Sequence, residues 1–227
     1  MITKPLHAWV LNKRWSGDTS AQVTFFTREQ GVIRGLCKGG RTPKKQSLLQ
    51  AFIPLWIVVD TRRDWYYIRQ LEIIAPSLPL KGSALFAGLY MNELLHHLLR
   101  PCDEHPELYD AYTQTLDKLN TCTDPLQLEE TLRRFEIALL TSCGYQMLLT
   151  HDVNDLPIDA SKHYSYTAGN GFAIATKGIN GAHILAFADD KLNDVGVLKS
   201  AKWIMRRAID HAVDGKPIKA RELYAAK

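Results

Sequence analysis

The sequence predicts an α+β protein in which a small β-barrel is followed by an α-helical domain. Residues 7–74 contain five short runs rich in β-branched and aromatic residues, which are typical of strands. A segment with two prolines follows at residues 75–80. Beyond it apolar residues recur at steps of three and four, which is the period of an amphipathic helix. We therefore expect a barrel domain over residues 1–80 and a helical domain over residues 81–227.

The predicted strands are short and are separated by turn residues. They cover residues 8–15, 21–27, 32–38, 52–59 and 65–73. A sheet of five such strands must close on itself or have its edges covered, so a five-stranded OB-fold is the expected barrel. An SH3-like barrel would give much the same pattern.

The net charge of +4 is distributed unevenly along the chain. Residues 1–80 hold 12 Lys and Arg against 5 Asp and Glu, a net charge of +7. Residues 81–227 hold 16 Lys and Arg against 19 Asp and Glu, a net charge of −3. We therefore expect the first domain to bind an acidic polymer.

The most informative stretch is residues 31–45, where a predicted strand leads into the flexible pair Gly39-Gly40. It carries five cations and no acid: Arg34, Lys38, Arg41, Lys44 and Lys45. A strand that leads into a cationic loop suits contact with a phosphate backbone, and these five residues are the predicted contacts to it. The alternative is a solvated hairpin tip with ordinary surface lysines, because basic runs are weak motifs.

Aromatic residues of the barrel domain are candidates for stacking on bases. They are Trp9, Trp15, Trp56, Trp65, Tyr66 and Tyr67. Because aromatic side chains dominate small cores, we expect about three in four of them to lie inside the barrel. One or two exposed rings would still matter, since stacking contributes ~1–3 kcal/mol per base.

Three amphipathic helices are predicted after the linker. The first covers residues 85–99, with Ser83 as its cap; the second begins at Pro106; the third covers residues 125–143. Asp124 is the N-cap signal of the third helix, and Gly144 suits a left-handed cap after its end.

Residues 145–180 lack a helical period and are expected to form a small irregular insert. Within it, residues 164–166 and 171–173 could pair as a hairpin. Helical character returns near residues 183–187, and a longer helix runs from about Val197 and ends at Gly215.

No motif for nucleotide hydrolysis or acyl transfer is present, because the chain lacks a Walker loop, a GxGxxG fingerprint and a GxSxG elbow. The best metal candidates are His96, His97, Cys102 and His105. The two histidines, however, project about 100° apart on a helix. The cysteines are too scattered for a zinc knuckle or a redox pair, so we expect reduced thiols. We therefore expect a protein that is not an enzyme and has neither a resident metal nor a cofactor.

Arg133 and Arg134 lie inside the strongly apolar third helix. One of them is expected to flank the apolar stripe while the other points to water. An arginine beside an apolar groove can bind the carboxylate of a peptide. The alternative is a salt bridge within the helix to Glu129, Glu130 or Glu136, which is locally favoured.

Several local strings are weak alone but specific in combination. They are Trp15-Ser16, Phe26-Thr27 leading to Gly31, Lys38-Gly39 with Arg41, Leu80-Lys81-Gly82, residues 89–95, residues 132–136 running to Gly144-Tyr145, and residues 215–223. Over essentially the whole chain, this combination resembles the RecO family of bacterial recombination mediators.

The resemblance implies an N-terminal OB-fold, binding of single- and double-stranded DNA, annealing of complementary strands and work with RecR in the RecF pathway. It also implies contact with the acidic C-terminal tail of the single-strand binding protein SSB, and so indirect help in loading RecA onto coated DNA. Matching the string around Arg133 places that residue and Arg134 at the SSB-tail site. Some relatives carry a four-cysteine zinc site in the insert, but residues 145–180 contain no cysteine, so we expect that site to be absent.

The sequence also indicates the compartment. No window approaches the ~18 apolar residues of a membrane helix. Residues 1–5 lack the apolar core of a signal peptide, so we expect a cytoplasmic, nucleoid-associated protein. Two other functions stay open: a protein adaptor that uses the barrel charge for an acidic protein partner, and a metal-dependent nuclease.

Overall fold

The structure is a computed structural model that describes residues 5–62 and 65–225, with side chains as far as residue 223. Contacts divide the chain into two compact units, Met1–Thr121 with Ile218–Lys227, and Cys122–Pro217. The expected boundary at residue 80 marks the change from strands to helices. In the structure, the two helices that follow this boundary belong to the same compact unit as the barrel. Residues 1–4, which fall in the stretch expected to lack a signal peptide's apolar core, and residues 63, 64, 226 and 227 lie outside the described residues.

A closed barrel forms the N-terminal part of the first unit. Its elements are β1 (Pro5–Ser16), β2 (Ser20–Thr27), β3 (Gly31–Cys37), α1 (Pro43–Leu48), β4 (Leu55–Arg62) and β5 (Trp65–Ile73). The strand order is β1-β2-β3-β5-β4, with β4 paired back to β1. Neighbours are antiparallel except β3 and β5, which run parallel with Gly35 opposite Tyr66. Because β5 joins β3 while β4 returns to β1, this is a five-stranded Greek-key barrel, and the predicted OB-fold is confirmed.

Helix α1 corrects the expectation of a flexible loop after Gly40. Thr42 occupies the N-cap position in extended conformation, and Pro43 takes the first helical position. Proline there has the φ that a helix needs and no N–H to leave unpaired. The cations that follow Pro43 are therefore presented by a short helix rather than by a loop.

Two helices cover part of the outer surface of the barrel: α2 (Gly82–Leu98) and α3 (Pro106–Thr121). Trp9 of β1 is opposite Phe26 of β2, and both rings point outward against Tyr112 of α3 with ring centroids 5.9 Å away. Lys81 is the N-cap of α2, so Ser83 lies inside the helix and the predicted cap is wrong. The outer residues nearer the β1–β2 turn, such as Arg14, are left exposed.

The expectation that most barrel aromatic residues are buried is also wrong. Trp9 is 3% exposed, whereas Trp15 and Trp65 are 45% and 52% exposed. Trp56, Tyr66 and Tyr67 are half-buried. Trp15 is opposite Ala21 near the end of the β1–β2 ladder, and Trp65 is the first residue of β5, so both rings lie where the barrel opens to solvent.

The second unit holds α4 (Pro125–Ser142), β6 (His163–Thr167), β7 (Gly171–Ala175), β8 (Ile179–Asn180), α5 (Gly181–Ala188) and α6 (Val195–Ala212). As predicted, Asp124 caps α4 by accepting a hydrogen bond from the Leu126 amide at 3.0 Å, and Gly144 adopts φ 80° after its end. The predicted hairpin is confirmed, with Tyr166 opposite Phe172. The strand β8 adds a third strand to this sheet, which the sequence did not predict.

A last helix, α7 (Ala220–Ala225), returns to the first unit. The carboxylate of Glu93 in α2 accepts hydrogen bonds from the backbone amides of Lys219 and Ala220 at 2.9 and 2.7 Å. These bonds connect two of the strings that carry the family resemblance. No helix within the described ranges is long and apolar enough to cross a membrane.

Candidate nucleic-acid interface

The strand register brings polar and cationic side chains together on the outside of the barrel. One row consists of Asn12, Thr24 and Arg34, and the next row consists of Arg14, Gln22, Leu36 and Tyr67. Residues opposite each other on neighbouring strands point to the same face of a sheet. These seven residues therefore form one continuous surface, here called the outer barrel face.

A cleft of ≈ 210 Å³ lies on this face where α2 meets the strands. It is lined by Asn12, Lys13, Arg14, Gln22, Thr24, Arg34 and His96. The Arg14 guanidinium donates a hydrogen bond to the Gln22 side-chain oxygen at 3.0 Å. Within the described part of the chain, neither Arg14 nor Arg34 takes part in a salt bridge. Both positive charges are therefore available to an anion that enters the cleft.

His96 is the titratable group of this cleft. Burial lowers the pKa of His96, and the positive charges of His97, Arg34 and Arg14 lower it further, while Glu93 opposes them. Its Nδ1 atom is buried and has no hydrogen-bond partner among the described residues. The imidazole is therefore held toward its neutral form, and an anion in the cleft would favour its protonation.

A second cleft, of ≈ 400 Å³, lies where β3 and β5 run parallel. It is lined by Leu36, Lys38, Lys45, Arg62, Tyr67, Ile68 and Arg69. The buried Asp60 carboxylate accepts hydrogen bonds from Arg69 at 2.6 Å and from Arg62 at 3.1 Å. The bond from Arg69 is the main cause that lowers the pKa of Asp60. Asp60 thus fixes two guanidinium groups beside the half-buried Tyr67 ring.

Two cations lie close to the exposed ring of Trp15. The guanidinium carbon of Arg41 is 5.2 Å from the ring centroid, and the Lys13 ammonium is 5.7 Å from it. Lys13 also donates a hydrogen bond to the Leu49 carbonyl at 2.7 Å, which fixes its position. An exposed aromatic ring with cations against it suits stacking on a base whose phosphate lies nearby.

Four of the five predicted cations belong to these features. Arg34 lines the first cleft, Lys38 and Lys45 line the second, and Arg41 contacts Trp15. Lys44 is exposed on α1 and lines neither cleft.

Sequence reasoning missed Arg14, Arg62 and Arg69, which lie on strands outside the basic stretch. The runs that form β1, β4 and β5 were visible in the sequence. The pairing that brings the three arginines beside the predicted set was not.

The four metal candidates are not brought together. Cys102 lies 3.4 Å from the Tyr66 hydroxyl, while His97 is 3.7 Å from Glu93. His105 is 3.5 Å from the carboxylate of Asp103. Among the residues that the structure describes, no group of three or more His, Cys, Asp and Glu could hold a metal ion.

The two arginines of α4 differ in their surroundings. Arg133 is 5% exposed and donates a hydrogen bond to the buried Glu136 at 2.7 Å, with Glu129 3.8 Å away. The Arg134 side chain is 40% exposed and pairs with Asp190 at 2.8 Å and with Glu130 at 3.3 Å. The intrahelical salt bridges that the sequence offered as the alternative are therefore formed, and Arg134 is the arginine that solvent reaches.

Known proteins resemble the chain over its whole length. The family model described as "Recombination protein O N terminal" matches residues 1–77, and "Recombination protein O C terminal" matches residues 80–222. The DNA repair protein RecO of Legionella pneumophila (strain Corby) is 51% identical over 227 residues, which cover 99% of each chain. That of Tolumonas auensis is 35% identical over 96% of this chain and 94% of its own. That of Pseudomonas putida (strain W619) is 37% identical over 96% and 95%.

Proposed function

The chain belongs to the RecO family of DNA repair proteins, and on that basis we propose that it is a non-enzymatic recombination mediator. It binds single- and double-stranded DNA, anneals complementary strands and works with RecR. It also contacts the acidic C-terminal tail of SSB, so that RecA is loaded onto SSB-coated single strands.

The observation that carries this proposal is the outer barrel face with its two clefts. Arg14 and Arg34 supply charge without a salt bridge in the described residues, and Asp60 holds Arg62 and Arg69 beside Tyr67. Cationic grooves with aromatic platforms suit strands of any sequence, because every base has a face on which a ring can stack. OB-folds bind oligonucleotides on the corresponding strands.

The mechanism needs no bond chemistry. Strand phosphates bind the arginines and lysines and release condensed counterions, so binding weakens steeply as salt increases. Two strands whose charge is partly neutralised in this way repel each other less and pair more readily. The same barrel can hold a duplex through its phosphates, since these contacts carry no sequence information.

The α4 arginines support the proposed contact with the SSB tail. An acidic tail would bind Arg134, whose side chain is 40% exposed, by replacing Asp190 and Glu130 as its partner, while Arg133 stays paired with Glu136 and Glu129. Binding there would deliver the barrel to coated single strands. The effect on RecA is indirect, because RecA would load onto the single strand that SSB no longer covers.

A titration of labelled single-stranded DNA, followed by fluorescence anisotropy over a salt series and repeated with SSB-coated DNA, tests the proposal. We expect Arg14→Ala/Arg34→Ala to weaken binding and to reduce the slope of log affinity against log salt by about 1.4, since each phosphate contact contributes about 0.7 for single strands. Lys118→Ala, which removes one exposed charge from α3 at a position that lines neither cleft, is the control for a general loss of charge.

An unchanged slope would contradict the assignment to this face. Absence of DNA binding by the native chain would favour the alternative, a protein adaptor. Cleavage of DNA in the presence of a divalent metal would instead indicate a nuclease.

A further inference from the structure

A second charged surface lies on α6, in the unit Cys122–Pro217, and the proposed barrel site does not use it. It consists of the exposed side chains of Lys199, Lys202, Trp203, Arg206 and Arg207, here called the α6 face. Their spacing of three and four residues places them on one side of the helix. The opposite side of α6 is buried, so this face is the one that a partner can reach.

The α6 face concentrates positive charge against an acidic background. The unit carries 10 Lys and Arg against 12 Asp and Glu, yet residues 195–209 contain no acid, and the first acid of α6 is the exposed Asp210. Lys202 is paired with Glu129 at 2.6 Å. In the ranges that the structure covers, neither Lys199 nor Arg206 forms a salt bridge. Such segregation of charge is expected for a surface that binds a polyanion.

Trp203 gives this face an aromatic platform. Its side chain is 41% exposed, and the Arg207 guanidinium carbon lies 4.2 Å from the ring centroid. This cation–π contact holds the ring in place, and part of the residue stays exposed to solvent. Between residues 199 and 207, all of which are described, Trp203 is the single exposed large apolar side chain.

We propose that the α6 face binds a single nucleic-acid strand, with one base stacked on Trp203 and phosphates on Lys199 and Arg206. Helix faces that bind peptides present a row of apolar anchors, which this face lacks. Non-specific strand binding needs an aromatic ring flanked by cations, which it has. The face is about 12 Å long at 1.5 Å per residue, so it contacts a short stretch of strand.

This inference rests on the proposed function and deepens it. Annealing brings two strands together, and a chain with a barrel face and an α6 face has a separate surface for each. The barrel variant Arg14→Ala/Arg34→Ala weakens the barrel contribution, and α6 substitutions made in it leave the remaining barrel cations unchanged. A further loss of affinity in this background therefore reports the second surface.

The test combines full-length variants with two measurements. In the Arg14→Ala/Arg34→Ala background, the residual affinity for a labelled oligonucleotide is expected to fall about tenfold further on Lys199→Ala/Arg206→Ala, and about tenfold on Trp203→Ala. Trp203→Phe retains a ring and should retain most of the affinity. In an otherwise native chain, the same α6 substitutions should slow annealing of complementary labelled strands. Lys177→Ala/Lys216→Ala removes two exposed charges of the same unit and is the control.

Circular dichroism and thermal melting check that each variant folds. If Trp203→Ala does not fold, Lys199→Ala/Arg206→Ala alone tests the proposal. Unchanged residual affinity and unchanged annealing would overturn the α6 proposal while leaving the barrel assignment intact. Loss of binding to an acidic peptide with unchanged oligonucleotide affinity would also overturn it, in favour of a protein partner. Normal binding by the barrel variant alone would count against the proposed barrel site, independently of α6.

Discussion

In the barrel, the guanidinium carbon of Arg41 lies 5.2 Å from the centroid of the Trp15 ring. Trp15 is near the end of β1, and Arg41 follows β3, so the contact joins two segments that are distant in sequence. The backbone amide of Arg41 also donates a hydrogen bond to the Thr19 carbonyl at 3.1 Å, which anchors the segment beside the β1–β2 turn. The pair thereby becomes part of the candidate DNA surface.

Trp15→Ala is expected to weaken binding of single-stranded DNA by about 1–3 kcal/mol, because one base would lose its stacking platform. Trp15→Phe should retain most of the affinity. Anisotropy titrations at one salt concentration measure the difference. Ile73→Ala, at a position that is 51% exposed at the end of β5, controls for the loss of an exposed apolar side chain. Equal affinity for Trp15→Ala and the native chain would exclude a role for this ring.

The His96 cleft predicts that DNA binding depends on pH. Burial, followed by the charges of His97, Arg34 and Arg14, lowers the pKa of His96 from its ordinary 6.5, and Glu93 acts in the opposite direction. A phosphate in the cleft opposes these effects and raises the pKa, so the complex binds a proton more readily than the free protein. Affinity should therefore increase as pH falls from 7.5 toward 5.5, by at most about tenfold per pH unit for one proton.

His96→Gln should flatten this pH dependence, measured by anisotropy at constant ionic strength. The lowered pKa of His96 makes the stability of the folded protein decrease as pH falls, whereas DNA affinity increases. Because the unfolded chain binds the proton first, the DNA-free protein loses stability as pH falls below the ordinary value of 6.5. An identical pH profile in His96→Gln would show that another group is responsible.

The buried pair on α4 predicts unequal effects of two adjacent arginines. Arg133→Ala removes the partner of the buried Glu136 and is expected to destabilise the protein by about 3–5 kcal/mol. Arg134→Ala should cost about 1 kcal/mol or less, because its ion pairs are partly exposed and solvent screens them. Urea denaturation of both variants measures the difference. Similar losses would mean that Arg133 is not held as the structure shows.

The same two variants test the proposed SSB-tail site. Arg133→Ala is expected to weaken binding of an SSB-tail peptide while sparing naked DNA, in the temperature range where the variant stays folded. Arg134→Ala, which is expected to stay folded, should also weaken the peptide because it removes the more exposed cation of the pair. Unchanged peptide affinity in both variants would place the tail site elsewhere.

Gly31 and Gly17 provide a matched test of backbone packing. Both have positive φ, 61° and 59°, so alanine is strained at either position. A Cβ on Gly31 would lie 1.7 Å from the Asp103 carbonyl oxygen, whereas nothing lies within 4 Å at Gly17. Gly31→Ala should therefore destabilise the protein by about 3 kcal/mol or more. Gly17→Ala should cost only about 1–2 kcal/mol. Thermal or urea unfolding distinguishes the two, and equal losses would contradict the close approach at Gly31.

The sequence by itself determined the fold class, because element type depends on local periodicity. The β-branched and aromatic runs at residues 21–27 and 65–73 correspond to strands β2 and β5, and the apolar steps after residue 81 correspond to α2–α4. The sequence also predicted the N-cap at Asp124 and the left-handed residue Gly144 after the end of α4, because both depend on local residue type. The excess of positive charge before residue 80 needed no structure either, since it is a property of composition.

Only the tertiary structure decided which side chains meet. The barrel closes through pairings such as β3 with β5, and these place Tyr67 and Arg69 beside Lys38. The residues around Lys38 and those around Arg69 do not by themselves predict that the two side chains lie close together. Likewise, α2 brings His96 to the strands, and the approach of Asp103 makes glycine necessary at residue 31. Burial of Arg133 against Glu136 depends on how α4 packs, which period alone does not determine. Residue type and spacing therefore predicted that the barrel is cationic, while strand register and helix packing determined which cations form the surface.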